Sequence, residues 1–269
     1  MNIRKQLKKF IYGTFPLTSG SFNYYGVKVY FPKDSLIFQM ACEQGTYESH
    51  NLKLIIQNVT ANSVYFDVGA NIGLMSVPIL LAHPSCKVIS VEISPNSLPF
   101  LQRTIRESRF SDRWVCIDKA FSDRSDTSDF YLSSSKLGAF DSLRASIIAQ
   151  SSQKIRITTT TLDSEWQKQE NPQVSFIKID VEGAELEVLR GASHCISTCR
   201  PYILVEWNAE WLKRFDCSPD TIFDFCNSFE YKILNASNLT MIESKTLLDM
   251  NMLYTESFLL VPKEKLKLC

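Results

Sequence analysis

A chain of 269 residues with 45% hydrophobic, 12% aromatic and 22% charged residues, and only 9 glycines and 10 prolines, excludes collagen-like, low-complexity and wholly disordered architectures. Lys+Arg and Asp+Glu both total 29, so the net charge is zero; no global positive field exists to drive phosphate-backbone binding, and nucleic acid is not expected as a partner. The eight cysteines contain no Cys-x-x-Cys pair and read as free thiols in a reducing compartment, and no apolar run approaches the ~20 residues of a membrane span.

The first nine residues carry Arg4, Lys5, Lys8 and Lys9, followed by Phe10, Ile11 and Tyr12. This is too short and too polar for a secretory signal, so a cytoplasmic location is expected. The basic start reads as a solvated helix, with weak contact to an anionic membrane surface as the alternative. Two short strands, Tyr24 to Phe31 and Ser35 to Gln39, are predicted around the turn signal Pro32-Lys33-Asp34, then a helix from Thr46 to Gln57. Residues 1–58 thus form a helix and β-hairpin extension, and residues 59–269 the main domain.

In that domain the near-continuous apolar runs Val64 to Val68, Lys87 to Glu92, Trp114 to Asp118, Phe176 to Asp180 and Tyr202 to Trp207 predict strands buried on both faces. Helical patterns alternate with them: Gly73 to His83, Pro95 to Ser108, Glu185 to Cys195 and Ala209 to Phe215. The alternation specifies an α/β fold with a mostly parallel sheet and helices on both faces. A Ser/Thr/Asp-rich, β-rich insertion near 121–171 separates the third and fourth core strands. After a helix opening at Ser218-Pro219-Asp220, the segments Tyr231 to Leu234 and Glu256 to Val261 supply closing strands.

The chemistry-bearing residues fall at the carboxyl ends of the predicted strands, where open α/β sheets bind ligands. Asp67-Val68-Gly69-Ala70-Asn71-Ile72-Gly73 joins the first core strand to its helix. Its two glycines allow a tight turn, yet it is neither Gly-x-G-x-x-Gly nor a Gly-Lys-Ser/Thr phosphate loop, and Asp67 would repel a pyrophosphate while suiting a cationic amino-acid group. Glu92 closes the second strand, where a carboxylate can accept both hydroxyls of a ribose. Asp118 ends the third strand ahead of Lys119-Ala120. In Lys178-Ile179-Asp180-Val181-Glu182-Gly183-Ala184-Glu185, alternation puts Lys178 and Asp180 on one face of the strand end and Glu182 in the loop beyond; Glu206 adds a carboxylate from the fifth strand. His50, His83 and His194 are scattered over helices and read as packed or surface residues.

These two motifs together resemble the FkbM family of S-adenosyl-L-methionine-dependent methyltransferases over roughly Glu48 to Asn208. The resemblance implies a class I, Rossmann-like methyltransferase fold of seven strands with the last antiparallel. It implies Asp67, Gly69, Ala70, Asn71 and Gly73 around the methionine part of the cofactor, Glu92 at the ribose, and Asp118 to Ala120 at the adenine. It points further to O-methylation of a small-molecule or saccharide acceptor. Asp180 is then the first candidate for the base that takes the hydroxyl proton, Glu206 the second and Glu182 the third, with Lys178 orienting them. A divalent cation on the same carboxylates is the alternative, and no metal ligand is assigned. A binding protein that has kept the fold without the chemistry, and an NAD-dependent oxidoreductase, are the rival readings. The insertion contains Gly138-Ala139-Phe140-Asp141-Ser142-Leu143, which leaves the acceptor open.

Overall fold

The computed structural model describes residues 19–33, 35–132 and 153–266. The basic N-terminal stretch, the Gly138 to Leu143 stretch and Cys269 lie outside the described residues. Among those described, no helix is long and apolar enough to cross a membrane, and seven cysteines are free thiols.

The chain opens on a hairpin of β1 (Gly20–Tyr24) and β2 (Val27–Phe31), paired antiparallel with Tyr24 opposite Val27. Its two-residue turn is Tyr25-Gly26, both at positive φ (51° and 81°), the geometry that matches the right-handed twist of a hairpin. The predicted single strand from Tyr24 to Phe31 is therefore corrected: it contains the turn. The predicted strand Ser35 to Gln39 is also corrected, because it opens a helix, α1 (Leu36–Gln44). The Ser35 hydroxyl caps it, accepting from Phe38 N at 3.2 Å, while Ile37, Phe38 and Ala41 turn inward at helical spacing. Phe31 and Phe38 stack with centroids 3.7 Å apart, which seats α1 on the hairpin. Helix α2 (Ser49–Asn58) follows.

The central sheet has eight strands, not the predicted seven, in the order β12-β11-β13-β10-β9-β3-β4-β5. Its parallel core is β3 (Val64–Val68), β4 (Lys87–Val91), β5 (Trp114–Ile117), β9 (Val174–Ile179) and β10 (Tyr202–Glu206). The last strand, β13 (Ser257–Pro262), is inserted antiparallel between β10 and β11 (Tyr231–Asn235). The extra strand is β12 (Met241–Ile242), two residues paired antiparallel on the edge of β11. So short a strand carries no alternation pattern, and the sequence gives no sign of it. All five residues of β3 and all six of β9 are buried, as expected for strands covered on both faces.

Helices α3 (Ser76–Ala82) and α4 (Leu98–Glu107) connect the first three core strands. The hairpin is tied to α4: Tyr30 N donates to Thr104 Oγ1 at 3.0 Å, and the Arg103 guanidinium lies 3.9 Å over the Tyr30 ring. Between β5 and β9 lies a separate three-stranded sheet of β6 (Ala120–Phe121), β8 (Gln153–Thr160) and β7 (Thr127–Leu132), followed by α5 (Leu162–Lys168). The predicted helix Glu185 to Cys195 is divided into α6 (Glu185–Arg190) and α7 (Ser193–Cys199). The break falls at Gly191, where a Cβ would stand 2.0 Å from the Ser122 carbonyl, so only glycine lets the insertion pack there. Helices α8 (Ala209–Arg214), α9 (Thr221–Phe229) and α10 (Lys245–Met252) complete the chain; Ser218 precedes α9 in a turn, and Asp220, not Ser218, occupies its cap position.

Candidate active site

Strand order reverses at β3: the chain moves outward through β4 and β5, then returns to β9 on the other side. Their loops must part there, opening a crevice at the carboxyl ends. A cavity of about 310 Å³ occupies it, lined among others by Asp67, Gly69, Ala70, Asn71, Glu92, Ala120, Lys178, Asp180, Glu182 and Glu206. The size falls within the range of small-molecule sites. Ten of the residues singled out in the sequence thus meet on one wall system, while Gly73 and Asp118 do not line it. Gly73 (φ 85°) packs against Trp114 and Leu101, where a Cβ would come within 2.9 Å of both; Asp118 is exposed beyond β5.

The floor is stitched by backbone bonds between strand ends. Gly69 N and Ala70 N donate to Val91 O, each at 3.0 Å, and Asp180 N donates to Val68 O at 3.0 Å. Glu92 holds the loops above: Oε2 accepts from Asn71 N at 2.8 Å, and Oε1 accepts from Ile93 N and Ser94 N at 2.8 and 2.7 Å. Asn71 itself sits at φ 49°, a left-handed conformation that asparagine tolerates better than most residues.

Asp67 is fully buried and begins a polar chain into the core. Its Oδ2 accepts from Ser76 Oγ at 2.6 Å; Ser76 meets Ser90 Oγ at 2.8 Å, and Ser90 Oγ accepts from Trp114 Nε1 at 2.8 Å. Its other oxygen, Oδ1, has no hydrogen-bond partner of good geometry among the described residues, while the Tyr65 hydroxyl faces the same carboxylate and favours its ionised form. Burial pushes the Asp67 carboxyl up, against the pull of Lys178.

Lys178 is 4% exposed and donates to Asp180 Oδ2 at 2.7 Å. Burial disfavours its charge, yet Asp180, Glu48 and Asp67 outweigh it and hold the ammonium protonated well above the usual lysine range. Burial likewise works against an ionised Asp180, but Lys178 and a hydrogen bond with Glu206 keep it below the ordinary carboxylate value. Glu206 moves the other way, well upward, through burial and the adjacent Asp180 charge, which favours a shared proton on Glu206 rather than on Asp180. Burial and the same charge push Glu182 to about 9. Glu185 sits just behind, pushed by burial to about 7, and clamps the loop by accepting from Val181 N and Gly183 N at 3.1 and 3.0 Å. Asp180, Glu182 and Glu206 offer one oxygen each within 4.8 Å of one another, and Lys178 already supplies Asp180 with a cation.

Part of the wall escaped the sequence reading. Leu36, Ile37 and Met40 of α1, with Tyr47 and Glu48 ahead of α2, line the cavity; Phe130 of the insertion, an aromatic that the sequence offers for stacking on a sugar ring or for packing, lines it too. The only local signal was the inward face of α1, hidden by reading that segment as a strand. The three histidines stand apart from the cavity lining: His50 and His83 bond the carbonyls of Ala236 and Ile56 at 2.5 and 2.9 Å, and the His194 ring packs edge-on against Trp166.

Comparison with known proteins assigns the sequence to a family. The sequence model described as "Methyltransferase FkbM domain" matches residues 67–233, more than half of the chain and the stretch that carries both charged motifs. No curated protein matches. Among solved structures, a methyltransferase FkbM from Methylobacillus flagellatus KT is similar at 18% identity and a TM-score of 0.48, covering 75% of this chain and 44% of that one. A precorrin-6y C5,15-methyltransferase from Geobacter metallireducens GS-15 gives 9% identity and a TM-score of 0.43 over 80% and 86% of the two chains. A geranyl diphosphate methyltransferase in complex with GPP and sinefungin gives 11% and 0.42 over 80% and 77%. The chain therefore spans under half the length of the Methylobacillus protein. With the matched segment running from Asp67 at the end of β3 to Ile233 in β11, the chain belongs to the FkbM methyltransferase family.

Proposed function

We propose that the protein transfers a methyl group from S-adenosyl-L-methionine to a hydroxyl of a neutral small-molecule or saccharide acceptor. The observation that carries this reading is the placing of Asp180 and Glu206 on the cavity wall beside the Gly69 turn, their carboxylate oxygens within 4.8 Å and Asp180 held by Lys178 at 2.7 Å; Lys178 lowers the Asp180 carboxyl while burial raises that of Glu206, which favours Asp180 as the proton acceptor. The cavity also suits the donor chemically. Among the described residues, Lys178 is the one basic residue in its lining and is already paired with Asp180, so no described side chain there cradles a phosphate. Asp67 lines the cavity with a buried carboxylate, whose charge favours a cationic ligand group. Asp67 and the Gly69 to Asn71 turn would hold the methionine part, Glu92 the ribose, and Ala120 with Phe121 the adenine.

When bound, the donor supplies a methyl on a sulfonium leaving group. What the chain adds is orientation, exclusion of water and a place for the proton. Asp180 accepts the hydroxyl proton as the oxygen–carbon bond forms and the sulfur keeps the electron pair of the breaking bond. Glu206 donates toward Asp180 and steadies its charge; being protonated, it is the weaker candidate for the base, as is Glu182. Lys178 stays protonated and holds Asp180 in place.

Isothermal titration calorimetry of the full chain tests the donor assignment. S-adenosylmethionine and S-adenosylhomocysteine are expected to bind at micromolar concentration and NAD⁺ not at all; binding of NAD⁺ alone would replace this reading with hydride transfer. Glu92→Ala is expected to weaken S-adenosylmethionine at least tenfold, since a charge-assisted hydrogen bond contributes about 1.5–3 kcal/mol and the variant also frees the three amides Glu92 holds. Unchanged affinity would remove Glu92 from the ribose.

A further inference from the structure

Glu48 lies ahead of the family-matched segment, yet it lines the cavity. The fold takes trouble to put it there. Helix α1 ends at Gly45 in a left-handed turn, with Gly45 N bonded to Ala41 O at 2.8 Å, and the chain reverses toward the sheet. The hairpin then grips the returning segment: the Tyr25 hydroxyl meets Thr46 Oγ1 at 2.7 Å, and the Tyr24 hydroxyl accepts from Tyr47 N at 3.2 Å. From the other side, Asn51 Nδ2 donates both to Glu48 Oε2 at 3.1 Å and to Ser257 Oγ at 3.0 Å. Glu48 has φ 43°, a left-handed backbone that a glutamate adopts only when its surroundings impose it. The bonds on both flanks do so.

The charges around it give the placement a meaning. Lys178 and Asp180 form a 2.7 Å ion pair and cancel, while Glu182 and Glu206 are driven toward their neutral forms. The Glu48 carboxylate, whose field reaches Lys178, then adds negative charge at the α1 side of the cavity, beyond that of Asp67 and Glu92 on the opposite strand ends. A surplus negative charge in a half-enclosed site favours a cationic ligand over its neutral counterpart.

We infer that Glu48 is a specificity-determining residue that makes the cavity prefer the positively charged methyl donor to the neutral thioether left after transfer. This rests on the S-adenosylmethionine reading above. Both ligands carry the same ammonium, carboxylate, ribose and adenine, so the ratio of their affinities isolates the sulfonium charge. The preference would help expel the spent donor and admit a fresh one.

Calorimetry of the full chain with S-adenosylmethionine and S-adenosylhomocysteine, for the wild type, Glu48→Gln and Glu48→Asp, decides the matter. The wild type is expected to bind the sulfonium ligand more tightly. Glu48→Gln, which keeps an acceptor for Asn51, is expected to weaken that ligand roughly tenfold while the thioether moves by less than about twofold; Glu48→Asp is expected to restore the preference. Equal weakening of both ligands would make Glu48 a structural residue, and no change in either would mean its charge is not felt; both overturn the inference. A wild type that binds both ligands without preference overturns it alone, even if the variants fail to fold. A wild type that binds neither overturns the donor reading and this inference with it.

Discussion

Gly69→Ala is expected to lower the melting temperature by about 6–12 °C and to abolish measurable S-adenosylmethionine binding. The backbone at Gly69 has φ 82°, and a Cβ there would stand 1.7 Å from the Asp180 carbonyl oxygen. Two costs add: about 1–2 kcal/mol for a left-handed alanine and about 1–3 kcal/mol for the overpacking. The obstruction is main chain, so it cannot swing aside as a flexible side chain would. Either β3 and β9 part at their carboxyl ends, breaking the 3.0 Å bond from Asp180 N to Val68 O, or the turn abandons the Val91 carbonyl that orders it. Both outcomes move Asp180 relative to Glu92. Differential scanning fluorimetry and calorimetry check the two halves of the prediction; a variant with unaltered melting temperature and affinity would show that the turn relaxes without consequence.

The Gly69 case also shows why some of the site was legible in the sequence. Strand ends were visible because β3, β4, β9 and β10 are covered on both faces and read as near-continuous apolar runs. Charged residues at the carboxyl ends of such runs, Asp67, Glu92, Asp180 and Glu206, fall at the same edge of the sheet, so their convergence follows from topology. What stayed hidden depends on partners distant in the chain. The reason Gly69 is glycine is an atom of Asp180, and the reason Gly191 interrupts a helix is the Ser122 carbonyl. The segment Ser35 to Gln39 has the apolar, aromatic character of a strand; the Ser35 cap and the stacking of Phe38 on Phe31 decide for helix. That misreading removed α1 from the cavity wall, and with it the approach that sets Tyr47 and Glu48 in place. Gly73 errs in the opposite sense: its spacing suggests ligand contact, whereas its close approach is to Trp114 and Leu101.

Asp180→Asn is expected to bind S-adenosylmethionine within about threefold of the wild type yet lose about 10²-fold or more in turnover, the range a general base supplies. Asparagine keeps the shape of the side chain and an oxygen for Lys178 Nζ, so the 2.7 Å contact persists as an ordinary hydrogen bond. It has no site for the acceptor proton. The pH dependence follows from the same pair. Wild-type Asp180 is held below its usual value, so it is ionised throughout the neutral range and activity is lost only as the pH falls through the acidic carboxylate region. Deleting its charge also removes a main reason for the upward shift of Glu206. In the variant that carboxyl is expected to ionise at lower pH than in the wild type, an acceptor-free signature readable by following the Glu206 side-chain carbon in a ¹³C NMR titration. Whatever turnover survives is then expected to rise with pH as Glu206 deprotonates and takes over as base, the opposite of the flat neutral profile of the wild type. Full turnover in Asp180→Asn, with Glu206 titrating as before, would place the proton acceptor outside this pair altogether.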